Sequence, residues 1–324
     1  VTDTAFTFTK PADLDLSIVI VSFNTRGLLL ECLASVQSHT RDLASEIFVV
    51  DNGSTDGSAE SVAEQFPDIQ LIRNPENRGL STAANQAFRQ SRGRYVVMLN
   101  SDTVLLENSF FKIVEILDVH REYSILSPQI LDASGHPCPM RLWQDSPKDA
   151  VRKILGIYNP AGEFKKMAGT GPREVEAVGG SCFVIRRTLM EKVGLLDENH
   201  FLYNEEDDFC RRAREAKGKI CYFPETSVKH LVGQSTHQPG IRERVIVETY
   251  KSNLYFFAKY YSPGWNIVLR LLYKLTFFLG IFRSLFHLAT GRPHRGADDS
   301  IPLKFRMLFL SATTPAAAES ESRR

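Results

Sequence analysis

Four polar clusters hold the residues most able to do chemistry. They are Ser22-Phe23-Asn24, Asp51-Asn52-Gly53-Ser54, Asn100-Ser101-Asp102 and the acidic run Glu205-Glu206-Asp207-Asp208. Asp51 closes one apolar, β-rich run, and Asp102 lies just past another. A carboxylate in the first place can accept hydrogen bonds from a base or ribose; one in the second can hold a hard cation that bridges a diphosphate. Each Asp taken alone has a simpler reading, because Asp at a strand end commonly serves a turn. The acidic run has one too, since acids are favoured at a helix N-terminus. Gly179 and Gly180 either let a backbone approach a substrate or make a tight bend. No GxGxxG follows the first strand and no GxxxxGK[ST] occurs anywhere, which argues against dinucleotide-binding dehydrogenases and P-loop enzymes.

The elements that must position these residues are legible in outline. Leu16 to Phe23 reads as a buried strand, Gly27 to Ser38 as a helix, and Glu46 to Val50 as a second strand. A helix capped by Asp56 or Ser58 then turns Val62, Ala63 and Phe66 inward. Ile69 to Ile72 is a third strand, a helix runs to about Gln90, and Tyr95 to Leu99 is a fourth strand. This alternation predicts an α/β layer with a mostly parallel sheet, in which ligands bind beyond the carboxyl ends of the strands. SFN, DNGS and NSD all sit at such ends. Beyond Glu107 a helix reaches about His120, and residues 132–174 form a long excursion with local helix. Val175 to Arg186 is a strand, Glu205 to Lys217 a helix and Lys219 to Phe223 a strand.

The segments LSIVIVSFN, VVDNGSTDGS, NRGLSTAAN, YVVMLNSDT, VGGSCFVIRR and FLYNEEDDFCRR resemble, in order and spacing, the family 2 glycosyltransferases, and most closely their rhamnosyltransferase-like branch. The resemblance covers roughly Leu16 to His230 and implies a GT-A fold. It implies an inverting, metal-dependent transfer from a nucleotide-diphosphate sugar, dTDP-rhamnose or a UDP-sugar. The acceptor it implies is a saccharide hydroxyl, polyprenyl-linked, in cell-surface polysaccharide synthesis. Carried over by position, Ser22, Phe23 and Asn24 line the nucleobase pocket, and Asp51 and Asn52 contact base or ribose. Asn77, Arg78 and Gly79 lie along the nucleotide with Asn100 and Ser101, while Gly179, Gly180 and Ser181 face the acceptor. Asp102 matches the metal-binding acid of a DxD-type motif whose first acid is here Asn100. His230 falls where relatives supply a further ligand, giving a mixed shell suited to Mg2+ or Mn2+. Glu206 matches the general base, with Glu205 the competing assignment. A non-catalytic nucleotide-sugar-binding relative and a nucleotidyltransferase are the alternatives.

The totals agree with an ordinary globular protein. The 324 residues carry a formal net charge of +1, which gives no reason to expect nucleic acid as partner. Five cysteines without a CxxC pair read as reduced thiols, and Val1 to Asp15 has no apolar signal core, so a cytoplasmic site is expected. The expected division is an N-terminal extension (1–15), a catalytic domain (16–240, its nucleotide half about 16–105 and acceptor half about 106–240), a basic apolar helical region (241–312) and a disordered tail (313–324). In the helical region, Trp265 to Ala289 is apolar but broken by Arg270, Lys274 and Arg283. Its longest uncharged stretch, Leu275 to Phe282, is far short of the roughly 20 residues a membrane span needs. Arg283 falls nearly opposite the other two cations on a helical wheel, so Gly280 is expected to divide two helices. The expectation is a peripheral element on the inner membrane face, the alternative being packing on the catalytic domain or a homodimer.

Overall fold

The computed structural model describes residues 14–140, 142–144, 146–167, 171–231, 241–290 and 301–310. The expected tail 313–324 and all of the N-terminal extension before residue 14 lie outside them. The elements run β1 (Leu16–Ser22), α1 (Arg26–His39), β2 (Ser45–Asp51), α2 (Ser58–Gln65), β3 (Gln70–Arg73), α3 (Leu80–Phe88) and β4 (Tyr95–Asn100). There follow β5 (Thr103–Leu105), α4 (Ser109–Val119), β6 (Tyr123–Leu131), α5 (Pro147–Ile154), α6 (Pro160–Met167), β7 (Arg173–Val175), β8 (Cys182–Arg186) and α7 (Arg187–Val193). The chain closes with α8 (Glu205–Glu215), β9 (Lys219–His230), α9 (Ile241–Tyr260), α10 (Pro263–Thr290) and α11 (Ile301–Phe309). Two compact units result: Val1–Gln144 with Pro160–Glu198 and Glu205–Ser235, and Asp145–Asn159 with Asn199–Asn204 and Thr236–Arg324.

The first unit is a mixed α/β layer around a nine-stranded sheet, counted among the described residues, whose main path is β3-β2-β1-β4-β8-β6-β9-β5. From β3 to β4 all pairs are parallel, whereas β8 runs antiparallel to both β4 and β6. β1 and β4 are buried on both faces, which is why they read as unbroken apolar runs rather than alternating ones. Leu29, Cys32, Leu33 and Val36 of α1 recur at helical spacing and close one face of the sheet. Register does the positioning. Ser22 pairs with Asp51 and Val21 with Asn100, so three polar clusters leave the sheet along one edge.

Several local expectations need correction. Gly57, in the left-handed region, occupies the position before α2, and no side chain caps it; Asp56 instead accepts from the Ser58 N–H at 3.0 Å. Ala63 is exposed rather than inward, because the helix faces the sheet through Ala59 and Val62. The strand expected over 175–186 begins only at Cys182, with 176–181 a loop. The strand expected to stop at Phe223 continues to His230 across a register shift, in which Phe223 pairs with Pro128 and Ser227 with Gln129. Glu107 braces that shift, accepting from Thr226 Oγ1 at 2.7 Å and from the Ser227 N–H at 3.2 Å.

The second unit is helical, with a core of Ala150, Val247, Tyr250, Leu254, Phe256, Phe257, Leu269, Leu303 and Met307. α10 runs unbroken through Gly280, so the expected division there is absent. A side chain at 280 would meet the Lys304 stem of α11 at 3.3 Å, so the glycine serves helix packing rather than a break. By length and composition alone, Pro263–Phe286 is long and apolar enough to cross a membrane.

Candidate active site

The sheet edge is bound into one polar row. Ser22 Oγ lies 2.9 Å from Thr25 Oγ1, which lies 3.0 Å from Ser101 Oγ, so a single threonine ties the ends of β1 and β4 together. Phe23 and Asn24 follow β1 half-buried. Asn24 sits at φ +53°, a conformation Asn tolerates better than most residues, and its Oδ1 accepts from the Thr55 N–H at 2.7 Å. Asp51 is 4% exposed; one oxygen accepts from the Ser54 N–H, while Oδ1 is buried without a hydrogen-bond partner among the described residues.

Asn52 has a different place from Asp51. Its amide donates to Asn77 Oδ1 and the Gly79 carbonyl, and its Oδ1 accepts from Asn74 and the Arg78 N–H. The side chain is thus spent holding the 74–79 loop against the strand end. Gly53 makes the close approach feasible: it has φ +84°, and a Cβ there would stand 2.7 Å from the Glu76 backbone. Gly79 ends the loop with its N–H on Asn77 Oδ1, while the Arg78 side chain stays exposed.

Past β4, Asp102 is 2% exposed. Its Oδ1 accepts from His230 Nε2 at 3.0 Å, and its Oδ2 is buried with no partner among the described residues. A buried, unpaired carboxylate oxygen costs about 1–3 kcal/mol and calls for a ligand. His230 arrives there because β5 pairs with β9 so that Thr103 faces His230, and its Nε2 also lies 3.3 Å from Asn100 Nδ2. One carboxylate and one imidazole on one spot suit a divalent cation with mixed oxygen and nitrogen ligands. Asp102 and His230 therefore fit the metal that the sequence motif implies.

The acidic run begins α8. Glu205 is 3% exposed and Glu206 half-buried; each keeps one buried oxygen without a hydrogen-bond partner among the described residues. Burial, and then the charge of Glu206 beside it, push the Glu205 carboxyl well above the usual carboxylate range. Asp208 is fully buried and accepts from Arg212 Nε at 2.7 Å, while Arg212 also binds the Val193 and Leu195 carbonyls. Asp208 thus anchors the helix, as an orienting residue would. Gly180 faces the pair: a Cβ there would lie 3.9 Å from Glu205 Oε1 and 3.9 Å from Glu206 Cδ, filling the space before them. Gly179 meets nothing within 4 Å, so open space marks that position, whereas a Cβ at Gly180 would also touch Met98 Cε at 3.4 Å; neither glycine has a positive φ.

Ser181 joins the two halves. Its carbonyl accepts from the Asn100 N–H at 3.1 Å and from Thr103 Oγ1 at 3.3 Å, one residue from the glycine before the glutamates. The strand-end row, the Asp102–His230 pair and the Glu205–Glu206 pair therefore border one stretch of backbone, 179–181. Thr25 and Thr103 were not foreseen from sequence. Thr25 precedes α1 without making a cap hydrogen bond, and Thr103 opens β5.

Residues 17–194, over half of the chain, match the family model described as glycosyl transferase family 2. The chain belongs to this family. Members with similar sequences include the N-acetylglucosaminyl-diphospho-decaprenol L-rhamnosyltransferase of Mycobacterium tuberculosis, 26% identical over 272 residues, which are 79% of this chain and 88% of that one. The low-salt glycan biosynthesis hexosyltransferase Agl10 of Haloferax volcanii is 32% identical over 206 residues, 62% of each chain. Among solved structures, the mannosyltransferase PcManGT of Pyrobaculum calidifontis, in complex with GDP-Man and Mn2+, aligns at TM-score 0.52 and 17% identity, covering 99% of this chain and 83% of that one. GalNAc-T7 with UDP, GalNAc and Mn2+ aligns at TM-score 0.52 and 20% identity, covering 74% of this chain and 50% of that one. These likenesses speak for the fold, the GT-A layer that the sequence resemblance implied. Family membership makes this chain a glycosyltransferase.

Proposed function

We propose that this glycosyltransferase moves a sugar from a nucleotide-diphosphate donor to a saccharide hydroxyl with inversion, assisted by a divalent cation. The observation that carries the reading is the buried Asp102 oxygen beside His230, without a partner among the described residues. Asn100 and Thr103, on either side of Asp102, bond the Ser181 carbonyl, next to the glycine that faces Glu205 and Glu206. Asp102 and His230 would hold Mg2+ or Mn2+, which when bound offsets charge on a leaving diphosphate. Asp51 Oδ1, buried without a partner among the described residues, would accept from a base or ribose, and the braced 74–79 loop would line the nucleotide.

Glu206 is the base in this reading. Burial raises the Glu205 carboxyl well above the usual carboxylate range and so favours its protonated form, whereas the Glu206 side chain is only half-buried. The acceptor oxygen attacks the anomeric carbon and loses its proton to Glu206 as the bond from that carbon to the diphosphate oxygen breaks. The nucleoside diphosphate leaves with the bonding electrons, and the single displacement inverts the centre. No covalent sugar–enzyme intermediate is needed.

The names of the relatives support the choice of substrates. The mycobacterial relative's name, a rhamnosyl transfer to a saccharide on a diphospho-decaprenol, supports a rhamnosyl donor and a polyprenyl-diphosphate saccharide acceptor here. In this reading the donor is dTDP-linked and the acceptor stands at the inner membrane face, with UDP-sugars the second donor class. Incubation with a panel of nucleotide sugars and acceptors tests this. The expected product is nucleoside diphosphate, formed with acceptor present. Conversion of the nucleotide sugar to nucleoside triphosphate and sugar 1-phosphate on addition of pyrophosphate would instead identify a nucleotidyltransferase, and no turnover with any donor would favour a binding relative.

A further inference from the structure

α10 has two apolar faces, and among the described residues only one is buried inside the second unit. Leu269 and Ile281 point inward and are buried. Outward, Ile267, Leu271, Leu275, Phe278, Phe282 and Phe286 recur every three or four residues, each 48–62% exposed. At 1.5 Å per residue the stripe is about 28 Å long. On the wheel, Lys274 stands roughly 70° to one side of its centre and Arg283 roughly 110° to the other. The two opposed cations that argue against a simple amphipathic helix therefore frame a single apolar face. Neither α10 nor α11 contains an Asp or Glu, and α11 adds exposed Phe305, Arg306 and Phe309.

We propose that this outer face of α10 lies in the plane of an anionic lipid surface, its apolar stripe among the acyl chains and Lys274 and Arg283 at headgroup level. It rests on the lipid-linked acceptor reading only for its purpose, not for its geometry. Charge complementarity selects the occupant: a face with flanking cations and no acid meets repulsion from a two-fold copy of itself, but attraction from phosphate headgroups. Crossing the bilayer is disfavoured by the other side of the helix. There Asn266 is 9% exposed and donates to the Leu254 carbonyl, and Lys304 is 4% exposed and donates to Ser284 Oγ. Lys274 would also fall near the middle of a Pro263–Phe286 span.

The test uses the full chain with vesicles of phosphatidylcholine alone or mixed with phosphatidylglycerol. Binding is expected to the mixed vesicles, weakened by salt, and the double variant Lys274→Glu/Arg283→Glu should lose roughly tenfold or more in affinity. Depth is read from fluorophores on Ile267→Cys or Phe282→Cys in a Cys138→Ala background, using depth-fixed lipid quenchers. Equal depths for the two labels support the in-plane helix; depths differing by most of the stripe length mean a spanning helix and overturn it. Equal binding to neutral vesicles, or a solution dimer that Leu271→Asp dissolves without any vesicle binding, also overturns it. Transfer to a water-soluble acceptor, measured on the same variants, reports separately on the catalytic reading: it should be unchanged.

Discussion

At the residue scale, the environment separates two adjacent glutamates that sequence alone cannot. Both match an acidic motif, but Glu205 is shut inside while Glu206 is only half-buried. Glu206→Gln should cost about 10²–10⁴ in transfer while leaving nucleotide binding unchanged, as competition with a nucleoside diphosphate would measure. Glu205 makes a prediction about stability. Its carboxyl titrates well above the usual range when folded, so between the ordinary carboxylate value and that raised value the unfolded chain is ionised and the folded chain is not. Folding then loses stability as pH rises through this window, and nothing is lost below it. Glu205→Gln should therefore melt higher than the native chain at neutral pH and equally in the acid range below ordinary carboxylate titration. Thermal melts across pH check the sign.

At the scale of elements, the residues legible from sequence are those whose role is set by their own strand. β1, β2 and β4 announce themselves as apolar runs, and the polar residues after them fall on the sheet edge by register alone. What stayed hidden depends on pairing between distant segments. β6 carries Pro128 and β9 carries Pro224, a residue that marks strand interiors as unlikely, and the shift between the two strands absorbs both. Only that shift lets β9 run on to bring His230 opposite Thr103. Asn52 is a similar case: its motif suggests a ligand contact, yet its amide is committed to the 74–79 loop. Asn52→Ala would strip the Arg78 N–H and the Asn74 amide of their partner, at about 1–3 kcal/mol. A lowered melting temperature with weaker nucleotide binding is expected, and hydrogen exchange over residues 74–79 should rise.

At the scale of the whole molecule, the candidate site draws on segments some 200 residues apart in the chain, from Ser22 to His230. The glycosyltransferase motifs carried that assembly into view early, because each keeps its place in a shared fold even where Asn100 replaces an acid. The helical unit was less legible. Its cations looked misplaced on an isolated wheel, and only the packing of Leu269 and Ile281 inward reveals which face is left over. The account stands or falls on the cation site that joins β4 to the end of β9. Calorimetric titration with a nucleoside diphosphate, with and without Mn2+, probes it without depending on turnover. The account predicts that Mn2+ tightens nucleotide binding roughly tenfold or more in the native chain and has no such effect in Asp102→Ala. Binding indifferent to Mn2+ in the native chain, or an undiminished Mn2+ effect in Asp102→Ala, would contradict it.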